Sequence, residues 1–150
     1  MIEFAGTYNA TIDDKGRIVL PASFKKELGD LATESLVIER GLHKECLDIH
    51  PEKSWRKRVE DFKSTLDPFN EEDDALLQYF YQNFVKVTMA PNGRINIPDS
   101  YLKYAKLEKG AEFIGMGEFI RLLAVTETGR QEMSKSEFLA KLKEKRQNKV

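Results

Sequence analysis

Two arginines stand in matching settings in this chain. Gly16-Arg17-Ile18-Val19-Leu20-Pro21 recurs as Gly93-Arg94-Ile95-Asn96-Ile97-Pro98, with Arg17 and Arg94, and likewise Pro21 and Pro98, 77 residues apart. The register extends outward: Thr11 and Ile12 match Thr88 and Met89, and Phe24 and Lys26 are answered by Tyr101 and Lys103. A guanidinium on a rigid projection is a planar fork of donors that can meet a phosphate or, bidentately, the O6 and N7 atoms of guanine, while a lysine acts as a point charge. Lys15 supplies a second charge beside Arg17, and Asn92 stands in the equivalent place beside Arg94. Asp13 is spaced to hold Arg17 by a charge-assisted hydrogen bond or to shape the turn. Lys15, Arg17, Arg94 and Asn92 are therefore candidate nucleic-acid contacts, with Asp13, Gly16 and Gly93 as residues that orient the loops. The plainer reading, a surface ion pair contributing about 0–1 kcal/mol, would account for the same residue types.

Other chemistries find less support. His43, Cys46, Asp48 and His50 are close enough in sequence to suggest zinc, which takes four ligands. On a strand, however, Cys46, Asp48 and His50 would alternate with Leu47 and Ile49 in the ordinary way. No paired Cys-x-x-Cys or His-Glu-x-x-His accompanies them. Neither a nucleophile elbow nor a phosphate-binding glycine loop is present, and Gly115-Met116-Gly117 reads as a tight turn. Glu71-Glu72-Asp73-Asp74 suits a helix N-terminus better than an acid/base pair. The expectation is a protein that is not an enzyme, with no catalytic residue, no metal site, no cofactor and no small-molecule substrate.

The bulk properties agree with a binding protein. With 41% hydrophobic and 33% charged residues among 150, the chain has the composition of a soluble globular domain. Its formal charge of −1 provides no general attraction to DNA or membrane, so any basic surface must be local. A single cysteine, Cys46, rules out an intrachain disulfide framework and suits a reducing cytoplasm. Met1-Ile2-Glu3-Phe4 lacks the basic start and apolar run of a signal peptide, and no apolar run approaches the roughly 20 residues that span a bilayer. A cytoplasmic protein with no membrane partner is expected.

The elements that must position the arginines follow from local patterns. A β-prone run, Thr7 to Ile12 or Val85 to Met89, leads into turn residues, Asp13-Asp14-Lys15-Gly16 or Pro91-Asn92-Gly93, and a second run begins at the arginine. Each arginine then lies at the mouth of a hairpin turn. Pro21 and Pro98 end these strands and open short helices, about Ala22 to Leu28 with Gly29 as the stop, and about Asp99 to Ala105. Two more strands follow in each half, Ser35 to Glu39 with Cys46 to Ile49, and Glu112 to Gly115 with Phe119 to Ala124. Each repeat is β-β-α-β-β. Two halves this small are each marginal alone, so they are expected to pack together.

Between the repeats, Trp55, Val59, Phe62 and Leu66 mark one face of a helix within Pro51 to Leu66. Asp67-Pro68 breaks it. Asn70 then caps an acidic helix start, and Leu76, Leu77, Phe80 and Phe84 line the next helix. The tail opens on a capping box, Ser134-x-x-Glu137, and ends in Lys141, Lys143, Lys145, Arg146 and Lys149. A solvated helix whose lysines complement its dipole is the preferred reading of the tail, over a basic arm for DNA, an anionic membrane or a protein.

Asp13-x-x-x-Arg17 with Ile-Val-Leu-Pro, the second copy around Arg94, and Cys46-Leu47-Asp48-Ile49-His50-Pro51-x-x-x-Trp55 together resemble the MraZ family, from about Gly6 to Val125. Members are built from two SpoVT-AbrB-type units. The resemblance implies an α+β, mainly β, swapped-hairpin AbrB-like barrel formed as an intrachain pseudo-dimer and joined by a helical hairpin. Residues 7–54 would form the first repeat, 55–82 the linker, 83–126 the second repeat and 127–150 the basic tail. It further implies a nucleoid-associated bacterial transcriptional regulator. Such a protein binds double-stranded DNA at direct repeats upstream of the division and cell-wall gene cluster, through the hairpin tips of a homo-oligomeric ring. The resemblance favours the DNA reading of Arg17. The second copy departs from the pattern, since Ala90 replaces the aspartate and leaves Arg94 without that partner, and Gly129 stands where a counterpart of Trp55 would be sought. The rival class is an antitoxin-like or ring-scaffold interaction module using Trp55, Val59 and Phe62 or the tail, although the preferred reading of those three is that they pack the helical hairpin on the barrels.

Overall fold

A computed structural model describes residues 2–125 and 133–148. The first repeat contains β1 (Thr7–Thr11), β2 (Arg17–Val19), α1 (Ala22–Leu28), a 3-10 turn (Gly29–Thr33), β3 (Leu36–Arg40) and β4 (Leu47–Pro51). Helices α2 (Glu52–Ser64) and α3 (Glu71–Gln82) follow. The second repeat contains β5 (Phe84–Val87), β6 (Arg94–Asn96), α4 (Asp99–Tyr104), β7 (Gly110–Gly115) and β8 (Ile120–Ala124), and α5 spans Lys135–Gln147. Pro21 and Pro98 precede α1 and α4 with φ of −55° and −57°, the value their rings impose and a helix entry accepts. Gly29, at φ +54°, ends α1 and donates its N–H to the Lys25 carbonyl. Asn70 accepts from the Asp73 N–H, and Ser134 from the Glu137 N–H, as capping residues should. Gly129, Lys149 and residues 126–132 lie outside the described residues.

The two repeats are interleaved. Six strands form one antiparallel sheet in the order β1-β7-β8-β4-β3-β5, so the first strand of each repeat pairs with the third strand of the other. β2 and β6 pair only with each other, Arg17 opposite Asn96, Ile18 opposite Ile95 and Val19 opposite Arg94. Ile18 and Ile95 are equivalent positions, so a local two-fold axis passes between them. This is an α+β, mainly antiparallel fold, and it departs from the expected closed barrel. The ribbon strands are three residues long and share no ladder with β1 or β5, which therefore remain the two ends of an open sheet.

The main core lies between the ribbon and the six-stranded sheet. Ile18, Leu20, Ile95 and Ile97 close over Ile38, Ile49, Phe113 and Leu122, all buried. The other sheet face is covered over β3 by a smaller cluster, Val37, Trp55 and Phe80, with Val59, Phe62 and Phe84 packed against it. The rings of Trp55 and Phe80 stack with centroids 5.4 Å apart. Phe84, expected on the second linker helix, instead begins β5, because α3 ends at Gln82 and Phe84 takes a place in the ladder opposite Glu39.

Candidate nucleic-acid interface

The first tip is organised by one carboxylate. Asp13 Oδ1 accepts the backbone N–H of Lys15 at 3.0 Å and of Arg17 at 2.9 Å, and Oδ2 accepts from Arg17 Nε at 2.6 Å. The Arg17 N–H, then its guanidinium and the Lys15 N–H, hold the Asp13 carboxyl below its ordinary value. Nε alone is engaged, so the outer edge of the guanidinium, with its two Nη groups, has no partner among the described residues. Gly16 sits at φ +77° and donates to the Asp13 carbonyl, which closes the turn. A side chain there would be strained by that φ and would meet the Ile97 carbonyl at 2.9 Å.

The second tip keeps the same backbone with different side-chain support. Ala90 donates its N–H to the Arg94 carbonyl, and Gly93, at φ +87°, donates to the Ala90 carbonyl. No carboxylate is available at position 90. Asn92 Oδ1 takes the Arg94 N–H at 3.1 Å, a bond that Asp13 makes in the first tip. Arg94 is thus backed at its backbone while its guanidinium has no side-chain clamp among the described residues.

Each tip is buttressed by the opposite repeat. The Gly16 carbonyl accepts from the Ile97 N–H at 2.8 Å, and the Gly93 carbonyl from the Leu20 N–H at 2.9 Å. Leu102 of α4 lies against Gly16, and Lys25 of α1 lies against Gly93, with its Nζ 3.3 Å from the Pro91 carbonyl. Lys25 was not among the residues singled out in the sequence. It brings to the second tip a cation that Asn92, standing where the first tip has Lys15, does not provide. At the fixed offset Lys25 corresponds to Leu102, which lies against Gly16 in the same way, but nothing local in the sequence joins Lys25 to the second tip.

The ribbon brings the tips together. Ile18 and Ile95 point into the core, so alternation turns Arg17, Val19, Arg94 and Asn96 to the opposite, outer face. Arg17 is 31% exposed in its side chain, and Arg94 and Asn96 are exposed. The two arginines are therefore diagonal neighbours on one solvent-facing surface, with Lys15 exposed at one corner and half-buried Lys25 at the other. Such a surface suits an anionic, edge-on ligand: a two-stranded ribbon fits the major groove of DNA, and a guanidinium fork matches guanine.

Of the residues weighed for a metal, His50 and Asp48 are engaged by other side chains, and His43 is exposed. His50 shares a hydrogen bond of 3.2 Å with Glu39, and Asp48 receives Arg121 bidentately at 2.8 and 3.3 Å. Burial, reinforced by the Asp48 charge, pushes the Cys46 thiol up to about 11. Trp55, which only the rival interaction-module reading would place on a docking surface, is 2% exposed and packs within the chain.

Comparison with known proteins follows the same lines. The profile of the family described as "MraZ protein, putative antitoxin-like" matches residues 3–79. A curated relative from Bacteroides thetaiotaomicron, named Transcriptional regulator MraZ, is 32% identical over 144 residues, covering 96% of this chain and 92% of the relative. Relatives of the same name from Phocaeicola vulgatus and Bacteroides fragilis are 31% and 29% identical, covering 81% and 96% of this chain and 79% and 91% of their own lengths. The profile spans the first arginine tip and the junction through Trp55, the 144-residue match to the first of these relatives reaches both tips, and the chain belongs to the MraZ family.

Proposed function

We propose that this protein is a sequence-specific DNA-binding transcriptional regulator, and that Arg17 and Arg94 on the outer face of the β2–β6 ribbon meet the DNA. The observation that carries the reading is the convergence of two duplicated Gly-Arg tips on one exposed surface, the first with its arginine held by Asp13. The names of the relatives support a regulator rather than an enzyme. Lys15 contributes a phosphate contact, Asn92, Gly16 and Gly93 fix the loops, and the first tip is the primary reader.

A single copy has few cations to offer. If each subunit neutralises only two or three phosphates, affinity at physiological salt is modest, and engagement of adjacent direct repeats by a homo-oligomeric ring supplies the rest by effective concentration. The target is the set of direct repeats upstream of the division and cell-wall gene cluster. The protein acts in the cytoplasm, on the nucleoid. No helix among the described residues is long and apolar enough to cross a membrane.

Fluorescence anisotropy with duplexes carrying one or several repeats from that upstream region tests the proposal. Several repeats should bind far more tightly than one, and the salt slope should grow by about 0.9 per phosphate contact. Arg17→Ala should abolish specific binding while leaving fold and assembly intact. Unaltered binding by Arg17→Ala, or equal affinity for one repeat and for several, would remove the tip model or the avidity model respectively.

A further inference from the structure

The outer face of the ribbon carries two residues besides the arginines. Val19 stands opposite Arg94, and Asn96 stands opposite Arg17. Val19 is 51% exposed. The Asn96 carboxamide is exposed and has no hydrogen-bond partner among the described residues. Asparagine is poorly suited to strands, and an unpartnered one in a three-residue strand gains nothing there from the fold. Val19 and Asn96 are themselves equivalent positions of the two repeats. The face is thus two-fold symmetric in its guanidinium groups and asymmetric at this one pair.

The dimensions suit base recognition. Directly opposite side chains in an antiparallel pair lie roughly 5 Å apart, and residues two apart on a strand about 6.7 Å. Four side chains on this grid cover about two base-pair steps of 3.4 Å, within a major groove about 12 Å wide. In that groove an asparagine can bond adenine N6 and N7 bidentately, and an apolar side chain can pack on the methyl group of thymine.

We propose, resting on the DNA-binding reading above, that Asn96 and Val19 determine base specificity: Asn96 reads an adenine, Val19 packs on a thymine methyl, and the two arginines read flanking guanines. Read along the equivalent strands, adenine is then demanded on one side of the local two-fold axis and thymine on the other. Each subunit reads an asymmetric element, which is the kind of element a direct repeat presents.

Selection from randomised duplexes with the full-length protein, followed by sequencing, tests this. The wild-type core should contain determined guanines and, read along equivalent strands, an adenine on the Asn96 side and a thymine on the Val19 side. Asn96→Ala should keep the guanines and lose the adenine preference, by roughly 5- to 150-fold at that position. Val19→Asn restores symmetry to the face, so in its core a second adenine should replace that thymine and make the core an inverted repeat. Deoxyuridine in place of the contacted thymine should weaken the wild type and leave Val19→Ser, which has no methyl to pack there, unaffected; no weakening of the wild type would remove the Val19 contact. If the wild type selects a defined core and Asn96→Ala and Val19→Asn select the same one, the assignment is overturned while DNA recognition by the tips stands. If the wild type selects no core, the DNA-binding reading itself fails.

Discussion

Glu39 offers the sharpest test of how the helical hairpin is held to the sheet. It lies on β3 and is buried. Its Oε1 bonds His50 Nε2 at 3.2 Å, and its Oε2 accepts from Arg58 Nη2 of α2 at 3.0 Å. Glu39→Gln keeps the shape and removes the charge. The amide has one acceptor oxygen, so either its NH2 is turned toward a donor or His50 must switch tautomer and offer Nε2 as an acceptor, and in both cases the bonds lose the charge assistance of the carboxylate. A hydrogen bond to a buried charged group contributes about 1.5–3 kcal/mol, but the Arg58 side chain is 41% exposed and recovers part of its loss from water. The expected cost is about 1–3 kcal/mol, read as a lower denaturation midpoint in urea with an unchanged slope.

The pH dependence separates charge from shape. Burial pushes the Glu39 carboxyl upward, yet the bonds to His50 and Arg58 and their charges outweigh it, and the group sits below its ordinary value of 4.5. The unfolded chain then binds this proton more readily than the folded one, so stability rises with pH across the interval between the depressed value and the ordinary one. The contribution is fully present above pH 4.5 and is lost as pH falls through the depressed folded value. The gap between wild type and Glu39→Gln should therefore be constant near neutrality and close in acid. A gap that stays constant into acid, or no gap at all, would refute the view that the ionised carboxylate fastens α2 to the sheet.

Two further predictions bear on the interior. Trp55→Ala removes the ring stacked on Phe80 and tilted against Phe84 at 4.6 Å, and should cost about 3–5 kcal/mol with loss of the near-ultraviolet circular dichroism of that cluster. Equilibrium unfolding checks it, and a loss below 1 kcal/mol would mean that the linker helices are not docked through Trp55. Cys46, buried with its thiol raised to about 11, should resist iodoacetamide at pH 8 in the native protein and react once the protein is unfolded in guanidinium, as mass spectrometry would show.

What could be read from the sequence was what is decided locally. Pro21, Gly29, Asn70 and Ser134 act on their own neighbours, and the elements they begin or end lie where their chemistry places them. Phe84 misled because apolar spacing continues the helical face past Gln82, where the ladder with β3 captures the chain. The Asp13 clamp on Arg17 was legible because both partners lie within five residues. Lys25 against the second tip was not, since its contact with Pro91 spans 66 residues and depends on the pairing of the repeats. The charge pairs Glu39–Arg58 and Asp48–Arg121 were hidden for the same reason.

The duplication also explains a feature that two separate copies could not have. The ladders make Glu39 equivalent to Ile114, each facing the corresponding first-strand residue, and hence Asp48 equivalent to Arg121. Asp48 and Arg121 face each other across the β4–β8 pair, on the local two-fold axis. In a homodimer the residue on that axis meets itself, and an aspartate or arginine there would confront a like charge in a largely buried setting. Fusion of the copies allows the position to diverge into a bidentate ion pair, just as it allows Ala90 to replace the counterpart of Asp13 and Asn96 to differ from Val19. Leaving either charge of such a buried pair alone is costly, so β4 is driven to pair with β8 of the opposite half rather than with another β4. The asymmetric outer face of the ribbon is the second consequence of the same event. The symmetric backbone keeps both arginines on one surface, and the diverged side chains give that surface a direction.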